Sequence, residues 1–493
     1  MANKATHILL LVISQAVNII VVFLFTPYLV RSLPQTVYGT YGQVLFISEF
    51  INTLCAFAIL QMAMMIYANK HHRFEDSLKT VLKFTGVAGS IGFLLAFGFS
   101  YIAPHWFNNT AIGPLMRIYA FSILGSRMNL VLNQALIKIG KTRAVMILSI
   151  VANFIKLALG YYCIQYLHSI ESLLVVYAAE PIISSGIQAF LLKKRGHLKG
   201  QFQWSILREI FQIGLPLYLV ELLGASYTYI SGFVISTKLN ESQYAIYRNG
   251  SVEIPVIGAL YGTISMIFMS DMMRHIQDRE FIKVAEAKKK IITATAVLIF
   301  PIALFFVFYS RDFILLYLSE KYIESASVFI VFTLALLIRL QNYTDVLILM
   351  KKSSYVLISF VVFIVLNITL NLWLSGIWGI IGCAMATIIS VYVLAGLQLH
   401  FTIQQLKVSY AEFIDFPKLV LILSLSFAWA GATKWLLNQT DFDIIYRFIL
   451  GGIITVPPLI IVLLKMKIID LRALEATFNK IPYIGHKLYR FLS

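Results

Sequence analysis

Fourteen runs of roughly 20 predominantly apolar residues follow one another along the chain, and each is long enough to cross a hydrocarbon layer about 30 Å thick as an α-helix. They fall at about 8–30, 40–66, 80–103, 114–136, 144–165, 172–192, 210–235, 252–271, 290–309, 325–349, 354–374, 377–401, 417–437 and 444–464. Composition agrees: AVILMFWYC make up 59% of the 493 residues and charged residues only 13%, against about 25% charged in soluble domains. So few charges cannot cover the surface of a soluble protein of this length, which excludes disorder, a fibrous repeat and a compact water-soluble enzyme. The expected fold class is an all-α polytopic membrane protein.

Basic residues give the orientation. With the N-terminus in the cytoplasm, the inner segments hold 29 of the 40 Lys and Arg residues, the outer loops hold Arg31, Lys238, Arg248, Arg311 and Lys321, and the other six fall within spans. A missed or invented span would invert every later loop and scramble this asymmetry, so both termini are expected inside. The first apolar run is too long for a signal-peptide core and is read as the first span. In a membrane chain, the net charge of +17 reflects this sidedness, and a nucleic-acid partner is not expected. From Lys465 onward, Leu471, Leu474, Phe478 and Ile481 recur at helical spacing beside Arg472 and Lys480. The spacing predicts an amphipathic helix on the anionic inner leaflet.

The chain also repeats itself. Leu33-Pro-Gln-Thr-Val-Tyr38-Gly-Thr-Tyr41, after span 1, matches Leu239-Asn-Glu-Ser-Gln-Tyr244-Ala-Ile-Tyr247, after span 7; Leu124-Gly-Ser-Arg127-Met-Asn129 in span 4 matches Leu336-Leu-Ile-Arg339-Leu-Gln341 in span 10. Six spans separate the members of each pair. Because six is even, both halves enter the membrane from the same side, related by an axis along its normal. The expected organisation is an N-lobe at 1–195 with spans 1–6, a C-lobe at 196–403 with spans 7–12, spans 13 and 14 at 404–464, and a cytoplasmic tail at 465–493.

The stretch Leu33 to Gly42, with Gly376-Ile-Trp-Gly379-Ile-Ile-Gly382 entering span 12, resembles the polysaccharide-type lipid-linked oligosaccharide flippases of the multidrug/oligosaccharidyl-lipid/polysaccharide exporter superfamily. The resemblance covers the whole chain in topology. It implies a bacterial inner-membrane flippase that carries an isoprenoid-pyrophosphate-linked oligosaccharide from the inner to the outer leaflet by alternating access, for surface polysaccharide such as O-antigen.

Covalent catalysis finds little support. Gly140-Lys141-Thr142 looks like the end of a phosphate-binding loop, but the position five before Gly140 is Ala135, so the glycine-rich cradle is missing. No ATP requirement, metal or cofactor is expected. Charges within spans carry more information, since a cation at the bilayer centre costs roughly 2.5–3.5 kcal/mol and is tolerated mainly when it faces a cavity or a partner. Arg127 in span 4, Lys156 in span 5 and Arg339 in span 10 are the candidate binders of pyrophosphate, the arginines occupying matched repeat positions on the two lobes. The competing reading pairs Arg339 with Asp345, and Lys156 with Glu180 or Glu221, as buried ion pairs. Glu221 at mid-depth leads the candidates for coupling to protons or sodium, followed by Asp345, Glu49 and Glu253. Two alternatives stay open: a cation-coupled multidrug exporter of the same superfamily, for which an acidic cavity would suit the cargo better, and a polytopic glycan polymerase or ligase, which would need a longer outer loop than the chain has.

Overall fold

The computed structural model describes residues 2–57, 59, 62, 73–252, 254, 272–466 and 468. Every regular element among them is helical. Of these helices, seven are long and apolar enough to cross a bilayer on their own, including Phe74–Trp106, Phe281–Phe308 and Ile444–Lys465. The protein is a multi-pass membrane protein. Span 8 with Glu253 and the tail from Ile469 lie outside the described residues, as does the side chain of Glu221.

The chain divides into two compact units, Met1–Arg248 and Asn249–Ser493. The first contains α1 (Ala2–Ser32), α2 (Gln35–Leu54), α3 (Phe74–Trp106), α4 (Ile112–Lys138), α5 (Thr142–Gln165), α6 (Ile170–Lys194), α7 (Trp204–Lys238) and most of α8 (Glu241–Gly250). Pro34 separates α1 from α2, because it cannot donate the backbone bond that a continuing helix needs. The division at Arg248 lies inside the stretch 196–403, because α7 packs onto α2 and α3. Phe46 and Phe50 of α2 meet Phe233 at ring-centroid distances of 4.9 and 5.1 Å, and Phe84 of α3 meets Phe211 edge-on at 5.2 Å.

Small residues let these helices approach. A Cβ on Gly125 of α4 would lie 2.4 Å from the backbone nitrogen of Ile182 in α6, and one on Gly92 of α3 would lie 3.0 Å from Ile123 of α4. In lipid, association rests on such close packing rather than on a hydrophobic drive, because the surrounding chains are as apolar as leucine. Large apolar side chains accordingly stay outside: Leu94, Phe154 and Phe190 are more than half exposed. All three cysteines, Cys55, Cys163 and Cys383, are free and buried as packing residues.

The second unit is built around α9 (Phe281–Phe308), whose most apolar window is 72% buried, against 22% in each of α15 (Phe416–Asn438) and α16 (Ile444–Lys465). Between them run α10 (Ser310–Tyr317), α11 (Ser325–Leu334), α12 (Asp345–Leu349), α13 (Ser353–Leu406) and the short α14 (Tyr410–Phe413). α13 covers both span 11 and span 12. Gly379, at φ +57° and ψ −130°, supplies the left-handed turn that other residues avoid. The two arms fold back on each other, with the Asn367 amide donating to the Ala386 carbonyl at 3.4 Å. Lys434 forms an ion pair with Asp312 and sits 4.6 Å from the ring centre of Tyr309.

Two spans depart from the sequence expectation. Span 2, expected as one helix at 40–66, is interrupted: α2 stops at Leu54 and the chain turns through Phe57 at φ +40°, with Ile59 and Met62 helical again. Span 10, expected as one helix over 325–349, is broken: α11 gives way to a 3₁₀ turn at Ala335–Leu337, an irregular stretch follows, and α12 begins only at Asp345. The hydroxyl of Tyr343 donates to the Ile338 carbonyl at 2.6 Å across this stretch, satisfying one of the backbone groups that the break releases. Non-helical backbone at membrane depth persists only where protein or a water-filled cavity supplies such partners.

Candidate functional site

The first unit brings three of the sequence-derived candidates together. A polar cavity of about 270 Å³ is bounded by Ser48, Glu49 and Asn52 on α2, by Tyr119, Ser122 and Asn129 on α4, by Lys156 on α5, and by Tyr177 and Glu180 on α6. On α2, positions 48, 49 and 52 share a face because three to four residues make one helical turn. Asn52 links the cavity to Arg127: its amide oxygen accepts from Arg127 Nε at 2.9 Å, while its amide nitrogen donates to Glu49 at 3.3 Å. Among the described residues, the terminal guanidinium nitrogens of Arg127 have no protein acceptor. They form a planar fork anchored at its base, a shape that binds phosphate oxygens in pairs.

Lys156 is placed differently. Its ammonium lies 3.7 Å from Glu180, with both side chains about one-quarter exposed, and 5.5 Å from the ring centre of Tyr177. Ser184 donates to the same Glu180 carboxylate at 2.9 Å. This is the ion pair that the competing reading foresaw for Lys156. Between α6 and α4, Gln188 donates to Asn129 and Asn133 at 2.8 and 3.0 Å, which fixes the orientation of the Asn129 amide at the cavity edge.

The other candidates occupy the second unit. Arg339 lies in the irregular stretch of span 10 rather than in a mid-membrane helix, whereas its repeat counterpart Arg127 sits in the unbroken α4. Asp345 binds Lys288: the ammonium donates to both carboxylate oxygens at 2.7 and 2.6 Å and to the Asn342 carbonyl at 2.9 Å. The competing reading gave Asp345 the partner Arg339; the structure holds its carboxylate with Lys288 of α9. Lys288 is 1% exposed. Sequence reasoning missed it because it stands in the run Lys288-Lys289-Lys290, which reads as a solvated inner loop.

Arg248 was missed for a similar reason, being counted with the outer loops. It sits 5.8 and 5.6 Å from the ring centres of Tyr38 and Tyr41, favourable cation–π distances. Tyr38 and Tyr244 are matched positions of the repeat, and their motifs pack together: a Cβ on Gly39 would lie 2.0 Å from the Glu241 carbonyl. The repeat itself was the signal that could have placed Arg248, one turn beyond Tyr244.

The described residues thus form membrane-length helices packed around a polar cavity. A family model described as polysaccharide biosynthesis protein matches residues 28–327, and the chain belongs to that family. Among solved structures, the lipid II flippase MurJ in an inward closed conformation aligns with a TM-score of 0.71 at 14% identity, over 95% of this chain and 99% of that one. An inward-facing multidrug resistance MATE family transporter of the MOP superfamily aligns at 0.56 and 15% identity, over 78% and 98%. A MOP superfamily transporter from Pyrococcus furiosus, whose title describes a binding pocket of reverse polarity, aligns at 0.53 and 13% identity, over 81% and 95%. These likenesses establish a MOP-type transporter fold. No curated protein matches.

Proposed function

We propose that the protein is a flippase that carries an isoprenoid-pyrophosphate-linked oligosaccharide from the inner to the outer leaflet of a bacterial inner membrane by alternating access, in surface polysaccharide synthesis such as that of O-antigen. The observation that carries this reading is the match to the polysaccharide biosynthesis protein family over residues 28–327. Arg127 supports it, with its guanidinium held by Asn52 at 2.9 Å and its terminal nitrogens available. Arg127 and Arg339 bind the pyrophosphate common to every cargo of this class, on lobes assigned from the repeat as 1–195 and 196–403. Lys156, already held by Glu180, contributes charge to the cavity rather than a phosphate clamp.

A pyrophosphate of charge about −2 moving outward in an inside-negative cell gains roughly 4.6 kcal/mol per 100 mV if it is not neutralised. An ion gradient is thus an aid to transport, and ATP is not its fuel. Of the carboxylates considered for proton or sodium coupling, Asp345 is committed to Lys288 and Glu49 opens onto the cavity; Glu221 and Glu253 remain as the coupling groups. Deleting the gene tests the reading: lipid-linked glycan should accumulate with its sugars on the cytoplasmic leaflet, and normal surface polymer in the deletion strain would sink it.

A further inference from the structure

The cavity of the first unit has a chemistry of its own, distinct from that of a phosphate clamp. Its charged lining comprises two carboxylates, Glu49 and Glu180, and one ammonium, Lys156. Because Lys156 neutralises Glu180 at 3.7 Å, the remaining charge is the negative one of Glu49, whose only hydrogen-bond partner among the described residues is Asn52. An anion meets repulsion there. A drug-like organic cation would satisfy that charge but leave the surrounding hydroxyls and amides unpaired, and each unpaired buried group costs about 1–3 kcal/mol. At about 270 Å³ the space holds several waters, each of which takes about 30 Å³ in the liquid, so it is too roomy to grip a dehydrated metal ion.

Two further observations point to a hydroxyl-rich ligand. Ser48, on the cavity wall, is 1% exposed and its hydroxyl has no hydrogen-bond partner among the described residues. Such a group pairs with a ligand or a water, or else it costs stability. Tyr177 places an aromatic ring on the same wall, edge-on to Tyr41 at 6.4 Å. A pyranose matches all of these features, since it offers hydroxyl donors to a carboxylate, both donors and acceptors to amides, and an apolar C–H face to a ring.

We propose that this cavity is a subsite for one uncharged sugar ring of the cargo. Glu49 accepts from two neighbouring hydroxyls, Ser48, Asn52 and Asn129 exchange hydrogen bonds with the ring, and Tyr177 covers one face. Arg127, tied to the same Asn52, stands at the edge of the subsite, so recognition of sugar and of pyrophosphate share one amide. The subsite rests on the flippase reading and assigns to Glu49 a role in sugar recognition instead of ion coupling.

Saturation-transfer NMR on the full-length protein in lipid nanodiscs tests this, with a panel of neutral methyl hexosides, glucuronate and inorganic pyrophosphate as probes. At least one neutral hexoside should bind, glucuronate should bind about tenfold more weakly, and pyrophosphate should not displace the hexoside. Glu49→Ala should weaken hexoside binding about tenfold or more for each of the two hydrogen bonds to a charged group that it removes. Glu49→Gln, which keeps the shape and one acceptor, should narrow the gap between hexoside and glucuronate. The proposal is overturned if no hexoside binds, if pyrophosphate competes for the same site, or if binding survives Glu49→Ala and Tyr177→Ala unchanged in folded protein. Hexoside binding without any flipping of lipid-linked glycan would remove the flippase reading and leave the subsite. Flipping without hexoside binding would do the reverse.

Discussion

Two of the lysine–carboxylate pairs look alike in sequence and differ in kind. Lys288 and Asp345 are 2% and 9% exposed at 2.6 Å, with Asn342 completing the ammonium's hydrogen bonds. Lys156 and Glu180 are each 25% exposed at 3.7 Å, on the wall of a cavity. In the first pair, attraction in a dry interior has to offset the desolvation of both charges, so removing either partner strands the other. In the second, water screens the interaction, which leaves the charges available to a ligand. The first therefore fixes the broken span 10 in place, whereas the second equips a binding cavity.

The largest expected effect breaks the dry pair. Lys288→Met or Asp345→Asn alone should destabilise the protein by about 3–5 kcal/mol, seen as a collapse of folded protein in the membrane. The double change Lys288→Met with Asp345→Leu should restore abundance, since two apolar groups of similar volume leave no charge behind. A double variant as poorly folded as the singles would show that the pair does more than hold the break. By contrast, Lys156→Met should cost no more than about 1 kcal/mol and leave abundance normal. A collapse there as deep as that of Lys288→Met would erase the distinction between the two pairs.

The smallest effect lies outside the membrane, where Glu280 precedes α9. Hydrogen bonds from Lys283 and then His275, at 2.6 and 2.7 Å, hold its carboxyl below the usual range. Because the folded-state value is depressed, this contribution is fully present above the unfolded carboxyl pKa and is lost as pH falls through the lower folded value. Glu280→Gln should therefore lower thermal stability slightly at neutral pH and converge with the wild-type protein at low pH, which flattens the acid limb. An unaltered acid limb would mean that the three groups act independently.

The membrane class was legible, and so was the interest of Arg127, Lys156 and Glu49 one by one, because a charge inside an apolar run must find a cavity or a partner. That Glu49 sits beside Arg127 through Asn52 was not legible, since the contact joins residues 75 positions apart. Nor was the break in span 10. Residues 325–349 carry no proline or glycine, and the break is held by Lys288, a tertiary partner 57 positions from Asp345. Arg248 was hidden because its setting comes from tyrosines on α2 more than 200 positions earlier. The paired tyrosine motifs were visible as a repeat, but not their packing against each other.

The central claim is that this chain moves lipid-linked glycan and that Arg127 holds its phosphate. Purified protein reconstituted into vesicles with an isoprenoid-pyrophosphate oligosaccharide on one leaflet measures it directly, with sugar exposure on the opposite face followed over time. Sugar should appear there without ATP, faster under a membrane potential favouring movement of the anion. Arg127→Ala should greatly slow its appearance at equal protein, and Arg127→Lys should recover part of the rate because charge returns without the fork. Exposure no faster than in protein-free vesicles, or unchanged by Arg127→Ala, would contradict the account.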